Sequence, residues 1–564
     1  MIHIKLLVSQ WIAHLSRRLR NNFYLYLALL FSLFVLLDAS LLHIGENMRD
    51  KAFDLMVRSR VLVPKADQDI VIIDVNEASL AAMSREYGRW PWSRQVFGEF
   101  LENIEQQKPK AVVFDILFSD ADIANPDSDA YFNDTIAATN NTFFPFLRLP
   151  EASDKLSQVK PGMIPGLATT LSPGADPNAT IALVLPHFNA ALESQRLGFH
   201  NIYPDNDGIV REYRLFRDDY GWKLPSLPLT IGHTLNYKLP EAQNVLLNWR
   251  GKPFTYQYVT FSDVMLDMAR KTKKRPPNEF TGKIVIIGST APSLFDLKAT
   301  PMAKIHPGVE ILATAIDNVK HGDYLHVWRG ALPYVFISLL LIWLTTVAFY
   351  RNVDRDRFNT VFSSSQIGLL VLSYIGINIT NTYLDFTGPI TWAIAYFSIA
   401  KIYAMATDRA LQRWLAFGIK PGTEGTQALI MPILVESEEA LGDAILKKLK
   451  RKIELASRSP CNVEMLKGTQ SGIWGLFGDM LIVSWTFSPA AIEYEQHARQ
   501  DAMQLSTQLS QLLVSVGLAE NTQARFTLHE GALTNEQALA KQWRSLFAQA
   551  IIKLEHSDSA ATQT

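Results

Sequence analysis

Cysteine is nearly missing from this chain, with Cys461 the only one in 564 residues. A single thiol forms neither an intrachain disulfide nor a cysteine-rich zinc site, so no domain is stapled by either. Charge is scarce too. Asp, Glu, Lys and Arg make up 19% of the chain while apolar residues reach 48%, against about 25% charged in an average soluble domain. That imbalance points to buried or membrane-embedded stretches. With a formal net charge of -1 there is no excess positive field to gather phosphate, and nucleic acid is not an expected partner. The length is too great for a single core and suggests about three or four units.

What the chain has is long apolar runs. Four are near the length of about 20 residues that a helix needs to cross a bilayer: 23–44, 331–350, 361–384 and 388–405. The first carries Asp38 as its only charge, the second carries none, and the fourth has Lys401 near its end. Lys5, Arg17, Arg18 and Arg20 precede the first run, Arg351, Arg355 and Arg357 follow the second, and Arg409, Arg413 and Lys420 follow the fourth. The link between the third and fourth runs holds Asp385 and no basic residue. The positive-inside rule then predicts a multi-pass membrane protein with both termini cytoplasmic and residues 45–330 outside.

The first run is longer than a signal-peptide core, and no small-residue cleavage site follows Leu41 and Leu42, so retention is expected. Asp38 is expected to reach the outer interface rather than a contact inside a helix bundle. Residues 1–22 read as a cytoplasmic amphipathic segment, with Ile4, Leu7, Trp11 and Leu15 on a side that would lie on membrane lipid.

The outer segment predicts an α/β fold. Short β-branched runs at 69–75, 111–118 and 283–288 read as buried strands, and helical spacing marks 93–107 and 308–320. Strand, helix, strand in this rhythm implies parallel βαβ units in a mixed sheet with right-handed crossovers. The Pro-, Gly-, Ser- and Thr-rich stretch 149–178 is expected to be a surface excursion.

Several strings in this segment resemble one family. They are Phe53-Asp54-Leu55-Met56-Val57-Arg58, Gly88-Arg89-Trp90-Pro91-Trp92-Ser93-Arg94, Val112-Val113-Phe114-Asp115, Asp205-Asn206-Asp207-Gly208-Ile209-Val210-Arg211, Pro225-Ser226-Leu227 and Gly282 through Thr290. Asp296, Thr300-Pro301 and Pro307-Gly308-Val309-Glu310 complete the set. Together they are similar to the CHASE type 2 family of extracellular sensor domains. The resemblance implies a periplasmic sensor, residues 45–330, on a receptor of the bacterial inner membrane, followed by three membrane helices and a cytoplasmic output. It carries no ligand or catalytic residues across.

Physical reasoning supplies a candidate site instead. Ligands of open parallel sheets sit beyond the carboxyl ends of the strands, which nominates Asp74, Asp115, Ser289 and Thr290, with Arg94 as a nearby cation. Backbone N–H groups after Gly288 would suit an anion. The alternatives are structural: Asp74 and Asp115 as helix caps or partners of Arg94, Trp90 and Trp92 as packing aromatics. The string 282–289 lacks the Gly-Lys-Ser/Thr end of a phosphate-binding P-loop.

Residues 410–564 predict a cytoplasmic α+β domain. Strands at 428–435, 463–467, 479–485 and 525–529 alternate with helices at 438–458, 490–516 and 535–554. This order is that of a ferredoxin-like split βαβ unit. Phe477 through Ser484 and Phe526 through Gly531 resemble parts of the class III nucleotide cyclase core. That resemblance implies two metal-binding carboxylates, for which Asp479 and Glu436 are the weak candidates. Val435 stands where the first carboxylate belongs, and an incomplete pair cannot hold the two ions that clamp phosphates. Lys447, Lys448, Lys450, Arg451 and Lys452 read as the solvated side of a helix, and His529 as packed or exposed.

The leading reading is a non-catalytic signal-transduction sensor. The alternatives are a divergent cyclase receptor and an envelope-assembly scaffold that docks another protein. No cofactor or metal is expected. The open partners are a periplasmic small molecule or protein, membrane lipid, a cytoplasmic protein, and a second copy of the chain in a homodimer.

Overall fold

The computed structural model describes residues 22–42, 44–171, 174–328, 330–351, 355–417, 426–436, 443–465, 480–488, 492–518, 522–533 and 539–556. The expected amphipathic segment of residues 1–22 lies, but for Asn22, outside them, and so does Asp479. The chain divides into two compact units. One comprises Leu37–Ile337 with Asn359–Ile390, the other Met1–Leu36, Ser338–Phe358 and Thr391–Thr564.

The first unit is organised by a seven-stranded sheet. Its order is Gln257–Thr260, Ile70–Asp74, Ile284–Gly288, Ala111–Phe114, Thr142–Arg148 and Leu183–Val184, with Leu197–Phe199 also paired to Thr142–Arg148. Every pairing is parallel except that of Thr142–Arg148 with Leu183–Val184. The three strands expected from β-branched runs form the centre of the sheet and are buried along their whole length. Alternation sorts their side chains onto two faces. Val71, Ile73, Val112, Phe114, Val285 and Ile287 pack under helix Arg94–Glu105 through Phe97, Phe100 and Leu101. Ile70, Ile72, Val113, Ile284 and Ile286 pack under helix Gly308–His321 through Val309, Leu312 and Ile316. Ser93 starts the first of these helices by accepting the Gln95 N–H, an N-cap of the usual kind.

The segment expected as a surface excursion is pinned to the domain. Arg148 donates to both carboxylate oxygens of Asp154 at 2.7 Å and to Asp219 at 3.1 Å, and all three residues are buried. A buried guanidinium needs such partners, so the excursion folds back onto the strand that carries it.

Among the described residues three helices are long and apolar enough to cross a membrane: Phe23–Leu42, Ala331–Tyr350 and Asp356–Ile379. The fourth expected run lies within the longer helix Thr387–Phe417. Asp38 differs from expectation. It is buried and accepts hydrogen bonds from the Ile44 N–H and the Tyr334 hydroxyl, because a carboxylate on an apolar helix is far less costly once paired. The turn after the third helix belongs to the first unit: Thr382–Leu384 pairs in parallel with His326–Trp328. Arg60 donates to Asn381 and Asn248, and Asn378 accepts the N–H groups of Val61 and Leu62.

In the second unit, Trp392 and Tyr396 meet Phe31 edge-on, and Thr346 donates to the Tyr396 hydroxyl. Its C-terminal part is an antiparallel sheet ordered Asn462–Met465, Met480–Phe487, Thr426–Glu436 and Gln523–Phe526, with His529–Leu533 also paired to Thr426–Glu436. Helices Asp443–Ala456 and Ile492–Ser515 cover one face, where Leu449, Ile453 and Leu505 meet Val483 and Trp485. Helix Leu539–His556 brings Trp543 and Phe547 to Ile430 and Ile482. His529 bonds Gln549, and Lys452 reaches Ser515.

Candidate functional site

A cavity of about 490 Å³ opens at the carboxyl ends of the parallel strands. Asp115 and His200 enter it directly after strands Ala111–Phe114 and Leu197–Phe199, and Leu147 near the end of Thr142–Arg148. Trp90, Tyr213 and Asp296 form further parts of its wall. The position is the one the parallel topology favours, since neighbouring strands diverge there into loops on either side.

Close packing sets the floor. Gly288 ends the central strand, and a β-carbon added there would fall 2.5 Å from Val309 and 3.2 Å from the Asp115 β-carbon. Only glycine lets the strand end, the helix start and Asp115 converge. The Asp115 N–H donates to Ile287 at 2.8 Å, which holds that loop to the sheet. Its carboxylate accepts from His200 Nδ1 at 3.1 Å.

Asp296 sits against the start of helix Gly308–His321. The Gly308 N–H donates to the Asp296 carbonyl at 2.9 Å, and a β-carbon on Gly308 would collide with the Asp296 carboxylate. Burial first, then the negative charge of Asp115, push the Asp296 carboxyl up to about 6, against an opposing pull from Lys298 and His200. Lys298 lies 3.8 Å away. Tyr213 is 2% exposed, and its hydroxyl has no hydrogen-bond partner among the described residues.

Of the five residues nominated from sequence, Asp115 and Ser289 line the cavity. The Ser289 hydroxyl, however, donates to the Val75 carbonyl at 2.7 Å. Asp74 and Thr290 face each other, with Thr290 donating its N–H at 2.9 Å and its hydroxyl at 2.7 Å to the Asp74 carboxylate. Burial raises the Asp74 carboxyl despite these bonds. The pair ties the ends of two adjacent strands together. Arg94 lies elsewhere, 5.1 Å over the Phe118 ring, 4.0 Å from Asp129 and donating to the Asp120 carbonyl.

Trp92 is buried and stacked on Phe261, while half-buried Trp90 meets it edge-on and faces the cavity. His200, Tyr213 and Asp296 were not nominated. Only Asp296 stood in one of the quoted strings.

Asp67, Asp317 and His321 come within metal-ligand spacing of one another. Cations of the chain already serve these carboxylates: Arg250 donates to both Asp317 oxygens at 2.6 and 3.0 Å, and Lys320 lies 2.6 Å from Asp67. Although burial opposes it, Arg250 holds Asp317 below the usual carboxylate range. The cluster is a charge network tying the segment before the first strand to the helix, and an added ion would have to displace two fixed cations.

For the inner candidates, Glu436 pairs with Gln523 at the end of Thr426–Glu436, and the register runs unbroken from Ile433 through Glu436.

A family model for the CHASE2 domain matches residues 27–349. The match covers more than half of the chain, and the chain belongs to the CHASE2 domain family. This is a family of sensory domains, typically extracellular or periplasmic, so the chain carries a sensory domain. No curated protein and no solved structure matches it.

Proposed function

We propose that this protein is a signal-transduction sensor of the bacterial inner membrane. Residues 45–330 detect a periplasmic small molecule, four helices cross the bilayer, both termini are cytoplasmic, and the C-terminal domain relays the signal by protein contact without catalysis. The observation that carries the sensing step is the cavity at the strand ends, which has the size of a small-molecule site and a wall of converging polar groups. The strand pairing between His326–Trp328 and Thr382–Leu384 supports the relay, since it gives the sensory domain a hydrogen-bonded handle on the turn after the third apolar helix. A ferredoxin-like reading of the C-terminal sheet is supported by its strand order and its antiparallel pairings.

The test uses the full chain in lipid nanodiscs, with the dialysable fraction of periplasm and growth medium as probe. That fraction should raise the melting temperature of the wild type and leave a cavity-filling Leu147→Trp variant unmoved. A shift from only the non-dialysable fraction would replace small-molecule sensing with protein docking, the scaffold reading.

A further inference from the structure

We propose that the cavity at the strand ends binds a small organic cation, an ammonium carried on a flat apolar body. The proposal rests on the reading of this cavity as the sensory site and adds the chemistry of its ligand. Two carboxylates, Asp115 and Asp296, share the cavity wall with Lys298, the one permanently charged cation among the described residues that line it. Lys298 is 3.8 Å from Asp296, and its side chain is 39% exposed, so it is a loose partner facing water. Among the described residues Asp115 is paired with the His200 imidazole alone, whose charge depends on protonation. The wall therefore carries more negative than fixed positive charge, in a setting that screens less than bulk water.

Tyr213 is the independent sign of a ligand. The residue lines the cavity, and its hydroxyl is buried without a protein partner among the described residues. A buried hydroxyl without a partner is costly, and an ammonium N–H entering beside Asp115 would donate to it. Trp90 adds an aromatic wall, the surface on which cations and flat apolar groups both rest.

The other ligand classes fit less well. An anion could take the Tyr213 O–H but would lie against the Asp115 and Asp296 carboxylates, and the donors at the strand ends are spent, the Ser289 hydroxyl on Val75 and the Thr290 N–H and hydroxyl on Asp74. The positive start of helix Gly308–His321 already has the Asp296 carboxylate against it. A metal ion would need a third ligand atom close to those of Asp115 and His200, and among the described residues only the Asp67 cluster reaches such spacing. The raised Asp296 carboxyl agrees with a cation, since a positive charge between the two carboxylates would relieve their repulsion.

Three probes of one shape and different charge test this: benzylamine, benzyl alcohol and benzoate, read by saturation-transfer NMR on the full chain in nanodiscs. Benzylamine should bind at least about tenfold more tightly than the other two, one unit of log affinity for the lost ion pair. Asp296→Asn should weaken benzylamine by a similar factor, and Tyr213→Phe should weaken it less, and neither should lower the melting temperature in the absence of probe. Equal or tighter binding of benzoate or benzyl alcohol overturns the cation. So does benzylamine binding that Asp296→Asn leaves intact, or no binding of any of the three. If the dialysable fraction still protects the wild type and not Leu147→Trp in those cases, the sensory cavity stands and only the ligand chemistry falls.

Discussion

Arg211 and Asp54, 157 residues apart, form a two-bond ion pair, with Nε and Nη2 of the guanidinium each donating at 2.8 Å. Asp54 sits on helix Glu46–Arg58, which follows the first apolar helix, while Arg211 closes the string Asp205–Arg211. The same guanidinium holds Asp205 at 2.7 Å and Asp207 at 2.7 and 3.0 Å. Arg211 keeps the Asp207 carboxyl below its usual range against the opposing effect of burial. This family string is thus a clamp that fixes the sensory domain to the helix entering it.

Removing Arg211 strands three carboxylates at the clamp, and Asp54 is itself buried. Breaking a buried pair from one side costs about 3–5 kcal/mol, whereas replacing both partners by apolar groups costs much less. Arg211→Met should lower the melting temperature of the detergent-solubilised chain sharply. Adding Asp54→Leu should recover part of the loss. Recovery is incomplete because Asp205 and Asp207 still lack their partner. A single variant that melts like the wild type would mean that the clamp contributes nothing.

The second prediction concerns pH. Burial and Asp115 raise the Asp296 carboxyl from 3.8 to about 6. The folded chain therefore holds this proton more tightly than the unfolded chain does. The stability it contributes is full below the unfolded value of 3.8 and is lost as pH rises through about 6. Asp115, His200, Lys298 and Tyr213 face the same cavity, and Lys298 and His200 already temper the shift. Melting temperatures across that window should fall less steeply with pH in Asp296→Asn than in the wild type. Identical slopes would remove Asp296 from the titration.

The parallel pairing of His326 with Thr382 gives a third test. Paired residues of neighbouring strands lie close enough for a disulfide with little backbone movement. The chain's own Cys461 is first replaced by serine. A His326→Cys, Thr382→Cys double variant should then cross-link under mild oxidation in membranes, read as a reducible mobility change on a gel after cleavage between the two positions. A control pair of His326→Cys with Thr380→Cys, two residues out of register, should cross-link far less. Equal yields would mean that the strand pairing is not formed in the membrane.

Topology is checked by fusing a reporter enzyme that works only outside the cytoplasm. The reporter should be active after Lys252 and inactive after Arg355 or at the C-terminus. Activity at the C-terminus would require an odd number of spans and would overturn the four-helix layout.

The centre of the sheet was readable because strands buried on both faces write continuous β-branched runs, as in Ile70–Asp74 and Ile284–Gly288. The cavity was half readable. Asp115 stands at the end of such a run, so the strand-end rule finds it. Tyr213 lies on a three-residue strand and His200 just after another, too short to show a period. Asp296 follows a left-handed residue, Phe295, in a turn. Only the tertiary fold brings these groups together. Asp74 misleads for a physical reason: a buried carboxylate at a strand end looks alike in sequence whether a ligand or Thr290 satisfies it. The same holds for Asp38, where an apolar run gives no sign that Tyr334 will supply the partner.

The last prediction is that the full chain makes no cyclic nucleotide from ATP or GTP, with magnesium or manganese. The chemistry needs two ions to neutralise the transferring phosphates, and two carboxylates to hold the ions. Val435 is buried and offers no side-chain oxygen where the first carboxylate belongs. A bulge would be needed to bring its neighbour into that place, yet the pairing of Thr426–Glu436 with Gln523–Phe526 runs Ile433 to Phe526, Leu434 to Arg525, Val435 to Ala524 and Glu436 to Gln523 with no residue skipped. An assay by mass spectrometry of the purified chain, with a known cyclase as positive control, should show no product above the protein-free blank. Turnover that vanishes in both Asp479→Ala and Glu436→Ala would establish a working pair despite this register, and the protein would then be a cyclase receptor. Turnover that survives both substitutions would overturn the prediction as well, since it would place the chemistry on other residues of the chain.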